Sequence, residues 1–288
     1  MSAEKSSNES DLHAEGPWKE LRNKSLGRKM KKMKRSFLSR MGRNLTRWAS
    51  IPYLRALKRR VGTLETVVGN LLTSPGYMPD TARAFNGQAG RQAIFEAVTR
   101  HMRFESIVET GTYLGNTTGW MNHVTGLPVH TSEINRYFHL LACRRLAARD
   151  QISLELGDSI DFLRRLAASP ITAQRVYFYL DAHWYESLPL AEELRLIAQH
   201  WRNFVVMVDD FEVPGDAGYG FDDYGFRRSL SMNCFGKAFR ELGLAAYSPS
   251  LPSSQETGSR SGCVLLAKAG SDAACELDTL SLLRPAAN

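Results

Sequence analysis

Five short motifs hold most of the residues that could do chemistry in this chain. The first is Glu109-Thr110-Gly111-Thr112-Tyr113-Leu114-Gly115-Asn116-Thr117-Thr118. Two glycines four apart after an apolar run make a tight backbone turn and open a helix. Gly111 lets the chain approach a ligand closely, and Gly115 with Asn116 and Thr117 places backbone N–H groups at a helix start, where anions are favoured. The spacing is not that of the dinucleotide fingerprint Gly-x-Gly-x-x-Gly, and an ordinary strand-to-helix turn would use the same glycines. The second motif ends in Glu133, a carboxylate that can accept hydrogen bonds from both hydroxyls of a ribose, or simply face solvent at a helix start. The third is Gly157-Asp158-Ser159, where Asp158 suits a helix N-cap. The fourth is Asp181-Ala182-His183-Trp184-Tyr185-Glu186 after the apolar run VYFYL, and the fifth is Asp209-Asp210 after FVVMV. Two acidic clusters on neighbouring strand ends repel unless a cation or a proton intervenes. Three such carboxylates suit Mg²⁺ or Ca²⁺, which take oxygen ligands. His183 is the best general base by intrinsic pKa, and equally fits a neutral core histidine bonded to backbone.

These motifs need elements to hold them. From about Phe104, β-rich runs alternate with helical ones: SIVET, PVHTSE, ISLELG, RVYFYLDA and NFVVMVDD each precede a helical pattern or a loop. Two further strands, LAAYSPS and GCVLLAK, are joined by LPSSQETGSRSG without a helical pattern. The alternation predicts an α/β fold with a doubly wound, mostly parallel, seven-stranded Rossmann-like sheet that ends in an antiparallel hairpin. Right-handed crossovers then bring the strand C-termini to one rim, where such sheets bind ligands. Pro214–Gly225 is rich in glycine, aromatics and acid, and its length suits a lid over the pocket that selects the acceptor. Glu256–Gly262 is expected to serve the hairpin rather than the chemistry.

The order Glu109-x-Gly111, Glu133, Gly157-Asp158-Ser159, Asp181-x-His183-Trp184 and Asp209-Asp210 resembles class I S-adenosylmethionine-dependent methyltransferases. Within that class it is most similar to the metal-assisted O-methyltransferases of the catechol and macrolide-sugar types. Tyr113 and Thr117 also fit the glycine motif of these enzymes, and the resemblance covers roughly residues 80–268. It implies S-adenosylmethionine as cofactor, held by Glu109, Gly111, Tyr113, Gly115, Asn116, Thr117, Glu133, Asp158, Ser159 and Asp181. It implies a metal, Mg²⁺ where one is used, on Asp181, Asp209 and Asp210, with Asp181 and His183 at the catalytic centre. Two departures stand out: Asp210 occupies a position where the catechol type carries Asn, and no lysine base follows His183-Trp184. The expected reaction is methyl transfer to a hydroxyl of a small molecule or sugar. The other readings are a same-fold enzyme of another reaction such as hydroxylation, a ribose or RNA methyltransferase docking through a basic arm, and a non-catalytic membrane-associated module. A base-methylating enzyme would want an Asn/Asp-Pro-Pro-Tyr type motif, which Asp181-Ala182-His183-Trp184 is not.

The arm is visible in the charge. The 288 residues carry a net charge of +7, yet residues 1–60 hold 17 Lys+Arg against 5 Asp+Glu, and the remainder holds 20 against 25. Basic surface attracts phosphate-bearing partners, and here only the N-terminal segment has it. Leu26, Met30, Met33, Phe37, Met41, Leu45 and Trp48 recur at helical spacing among lysines and arginines. The pattern predicts a basic helical extension over residues 1–80, disordered at its start, before a catalytic domain over 81–288. Residues 26–48 suit peripheral contact with an anionic membrane, or packing on the body or on a second subunit; nucleic acid is the weaker partner because one-sided aromatics make poor stacking platforms. No run of about 18 apolar residues and no secretory leader is present, and four scattered cysteines suit a reducing cytoplasmic compartment, at the inner membrane face where the arm binds.

Overall fold

In the computed structural model, residues 84–183, 188–225 and 227–286 are described. The arm and its proposed membrane helix, together with Trp184, Tyr185 and Glu186, lie outside them. The body is an eight-stranded sheet. Its strands are β1 (Ser106–Thr110), β2 (Val129–Glu133), β3 (Ile152–Leu156), β4 (Arg175–Leu180), β5 (Asn203–Asp209), β6 (Leu244–Pro249), β7 (Cys263–Lys268) and β8 (Leu283–Pro285). Their order across the sheet is β3-β2-β1-β4-β5-β7-β6-β8. The first five are mutually parallel, and β7 inserts antiparallel between β5 and β6. The expected hairpin is therefore present. The eighth strand is additional: β8 pairs antiparallel with β6 at the sheet edge. Three residues are too few for an alternating pattern to show in sequence, and Pro285 is tolerated because an edge strand has no further ladder to complete.

Among the described residues, seven helices cover the sheet: α1 (Ala89–His101), α2 (Asn116–Thr125), α3 (Arg136–Leu146), α4 (Ser159–Ala167), α5 (Leu190–His200), α6 (Met232–Glu241) and α7 (Asp272–Asp278). The central strands are apolar on both faces because both faces are covered. Along β4, Tyr177 and Tyr179 enter one core with Phe85, Phe95 and Met121, whereas Val176, Phe178 and Leu180 enter the other with Leu194 and Trp201. A strand's alternation makes that division. The first core is tied by edge-on rings: Phe95 meets Tyr177 at 5.0 Å between centroids, and Phe85 meets Tyr179 at 5.1 Å. Such pairs add about 0.5–1.5 kcal/mol beyond the area they bury. These layers fix the C-terminal ends of β1, β2, β4 and β5 along one rim.

Candidate active site

The rim is built around the turn after β1. Gly111 has φ +86°, and a Cβ there would lie 2.2 Å from the carbonyl oxygen of Asp181. The Asp181 amide in turn donates to the Thr110 carbonyl at 2.9 Å. Only glycine allows the ends of β1 and β4 to pass this closely. Tyr113 also adopts a left-handed φ of 50°. Gly115, at φ 74°, is the N-cap of α2. An open cleft lies here, with Glu109, Gly111, Tyr113, Asn116, Tyr179 and Asp181 among its walls. Thr117 also lines it, but the Thr117 hydroxyl accepts a hydrogen bond from the Phe85 amide at 3.1 Å and so serves as a strut.

Three carboxyl groups reach this turn from three strands. Glu109 is buried beneath the cleft and accepts from the Thr118 hydroxyl at 2.5 Å and the Thr131 hydroxyl at 2.6 Å. Burial pushes its pKa up to about 7, against the lowering effect of those two hydrogen bonds. Glu133 accepts from the Tyr113 amide and from the Asn135 amide, each at 2.7 Å. It therefore stands against the glycine turn. Asp181 sits at the end of β4, where burial and then the Asp210 carboxylate hold its pKa well above the usual range, with Arg91 opposing. Asp158 caps α4 by accepting from the Ile160 amide at 2.9 Å, and Ser159 is buried behind it. The Gly157 amide donates to the Glu133 carbonyl at 3.1 Å, which aligns this pair with the end of β2.

The end of β5 departs from expectation. Asp209 is 0% exposed, and its carboxylate is bound by the Arg91 guanidinium, by the Tyr179 hydroxyl at 2.5 Å and by the Asp210 amide at 2.7 Å. Asp210 adopts a left-handed conformation at φ 49°. Among the described residues, no three His, Cys, Asp or Glu side chains are grouped to hold a metal ion. The expected metal set of Asp181, Asp209 and Asp210 is thus not assembled, because a buried arginine already neutralises its central member. His183 is buried beside this pair. It is 4% exposed, and its Nε2–H donates to the Asp209 carbonyl at 3.1 Å. Burial lowers its pKa to about 4. Of the two readings of His183, the geometry matches the neutral, backbone-bonded histidine.

Several site residues were not singled out in the sequence. Asn86 lines the cleft from a short 3₁₀ turn, with Phe85 and Asn86 both at positive φ. Asn86-Gly87 is a turn signal that precedes the first strand and so lacked a motif beside it. The hairpin loop clamps this turn. The Thr257 hydroxyl donates to the Gly87 carbonyl at 2.7 Å, Glu256 accepts from the Gly90 amide at 2.9 Å, and the Gln88 amide group donates to the Ser261 carbonyl at 2.7 Å. The segment Pro214–Gly225 is held down as well. Asp216 accepts from the Ser253 amide and hydroxyl, and the Gly220 amide donates to the Arg260 carbonyl at 2.9 Å. Its far end brings Asp222 and Tyr224 toward the rim: both Asp222 and Asp210 raise the Asp181 pKa. Glu193, on α5, is 0% exposed, faces the Ser159 and Thr110 hydroxyls, and has its pKa pushed up to about 7 by burial.

No family model matches the chain, and no curated protein matches it. Solved structures do. The chain is similar to an O-methyltransferase from Bacillus cereus in complex with S-adenosylhomocysteine, at 13% identity over 73% of this chain and 90% of that one, with a TM-score of 0.46. It is also similar to the O-methyltransferase TomG from Streptomyces achromogenes, involved in tomaymycin synthesis and in complex with S-adenosylmethionine. There the identity is 20% over 63% of this chain and 81% of that one, with a TM-score of 0.46.

Proposed function

We propose that this protein binds S-adenosylmethionine in the cleft after β1 and transfers its methyl group to a hydroxyl of a small molecule or sugar. The observation that carries the reading is the convergence of Glu109, Glu133 and Asp181 on one glycine turn. That donor set fits the cofactor. Glu133, bonded to the Tyr113 amide beside the turn, is the carboxylate that would accept from a ribose diol, and Gly111 would allow close approach of a ligand to backbone. Carboxyl groups in the cleft wall suit a ligand that carries ammonium and sulfonium charge.

When bound, the cofactor supplies a methyl group already activated on sulfur, so the protein's work is alignment and proton removal. Alignment of donor and acceptor is worth several kcal/mol, up to about 7–11 in the best intramolecular cases. The acceptor hydroxyl must lose its proton as the oxygen–methyl bond forms and the sulfur–methyl bond breaks. Asp181 is the group that can take it: it lines the cleft, and its raised pKa makes it a stronger base than an ordinary carboxylate. His183, buried and lowered to about 4, is the weaker choice. Asp222 and Tyr224 are the polar groups near the rim that would meet a polyhydroxylated acceptor.

Isothermal calorimetry with S-adenosylmethionine tests the cofactor half, with one-to-one binding expected. The absence of binding heat at several temperatures removes the enzyme reading. Methyl transfer from labelled cofactor to a panel of sugars and phenols tests the acceptor half.

A further inference from the structure

The Arg91–Asp209 pair has a meaning beyond stability. Both side chains are buried, at 1% and 0% exposure. Asp209 has its Oδ1 on Arg91 and the Asp210 amide, and its Oδ2 on the Tyr179 hydroxyl. Arg91 is held from its other side: Nη2 donates to the Ser261 and Gly262 carbonyls. Those carbonyls are present because Cys263 opens β7 in register with Asp209. A divalent ion could reach the Asp209 carboxylate only by expelling this cation, which would leave a charged guanidinium buried without its partner.

We propose that Arg91 is the built-in cation of this rim: it occupies the Asp209 carboxylate at the end of β5, where a divalent ion would otherwise bind, so the cofactor cleft holds its shape with no metal. The proposal rests on the methyltransferase reading only for the identity of the cleft's ligand. Arg91 is a positioning residue in this scheme. It reaches the cleft through Tyr179 and Asp181, which line it.

The test uses the full-length protein and Mn²⁺ as the probe. Electron paramagnetic resonance of Mn²⁺ titrated into the wild type is expected to show no site that depends on Asp209. A stoichiometric site that Asp209→Asn abolishes overturns the proposal; one that survives Asp209→Asn lies elsewhere and agrees with it. In Arg91→Gln the carboxylate is freed, and added Mn²⁺ is expected to raise the melting temperature of that variant and to leave that of the wild type unchanged. An Arg91→Gln variant that folds and gains nothing from Mn²⁺ counts against the idea. If that variant does not fold, the wild-type titration still decides. Cofactor affinity with EDTA and with Mg²⁺ is expected to agree within about twofold. A tenfold loss in EDTA overturns the proposal. A cofactor that binds under neither condition defeats the methyltransferase reading instead, while the Mn²⁺ result stands by itself.

Discussion

Each acidic residue of the rim has a different neighbourhood, and its substitution has a different expected readout. Glu133 takes two backbone N–H groups, from Tyr113 and Asn135. Glu133→Ala should therefore weaken cofactor binding about tenfold or more, since hydrogen bonds to a charged group are worth about 1.5–3 kcal/mol each. It should also lower the melting temperature, because two amides lose their acceptor. Calorimetry and thermal melts measure the two effects, and unchanged cofactor affinity would refute the ribose role. Asp181→Asn should spare cofactor affinity to within a few-fold and reduce turnover about 10²–10⁴-fold, the usual worth of a general base. Comparing calorimetry with single-turnover rates separates these. Glu193 has no motif, yet it makes a prediction about pH. Its folded pKa of about 7 lies above its ordinary 4.5, so the folded state holds the extra proton between those values. Stability then falls as pH rises from about 4.5 to about 7, by at most about 3 kcal/mol for this group. Glu109, also near 7, adds a slope of the same sign. Glu193→Gln should be increasingly more stable than the wild type from pH 5 to pH 8. Melts across that range check it, and a constant difference would contradict it.

At the scale of elements, the turn after β1 and the strap over α1 set the geometry. Gly111→Ala combines a positive φ with a Cβ 2.2 Å from the Asp181 carbonyl. The left-handed conformation alone costs about 1–2 kcal/mol, and the contact forces β1 and β4 apart. The variant should lose several degrees of melting temperature and most of its cofactor affinity. An Ala variant that binds like the wild type would show that the close approach is incidental. The hairpin loop serves as a strap in the same sense. Gly258 has a positive φ of 61°, and a Cβ there would lie 2.3 Å from the Asn86 carbonyl. The loop thus meets the turn that carries Asn86 into the cleft wall. The same contact explains how Phe85 and Asn86 remain at positive φ, a conformation that neighbouring structure must impose.

At the scale of the whole molecule, charge divides the chain. A body with more acid than base follows an arm with more than three times as much base as acid. We expect full-length protein to float with vesicles that contain anionic lipid, and a protein beginning near Tyr77 to remain behind. Equal behaviour of the two would end the membrane reading of residues 26–48. No helix among the described residues is long and apolar enough to cross a membrane.

The chain's own periodicities sufficed to locate seven of the eight strands and the helices α2 to α6, because alternation and the 3.6-residue repeat are local properties of the backbone, whereas α1 and α7 were not singled out. The acids at the strand ends were legible for the same reason: β1, β2 and β4 each carry a carboxylate at or next to their C-terminal end. What those carboxylates touch was not legible. Arg91 lies 118 positions before Asp209 in the chain, and nothing local in either stretch announces the other. They meet because β7 inserts beside β5 and delivers the Ser261 and Gly262 carbonyls to the guanidinium. Of three aspartates read as a metal set, one stands in an internal ion pair, and of the two readings of His183 the packing matches the buried donor to backbone. Local pattern determined where the acids stand; long-range strand order decided which cation neutralises them, since buried charge is satisfied only by whichever partner the packing brings within reach.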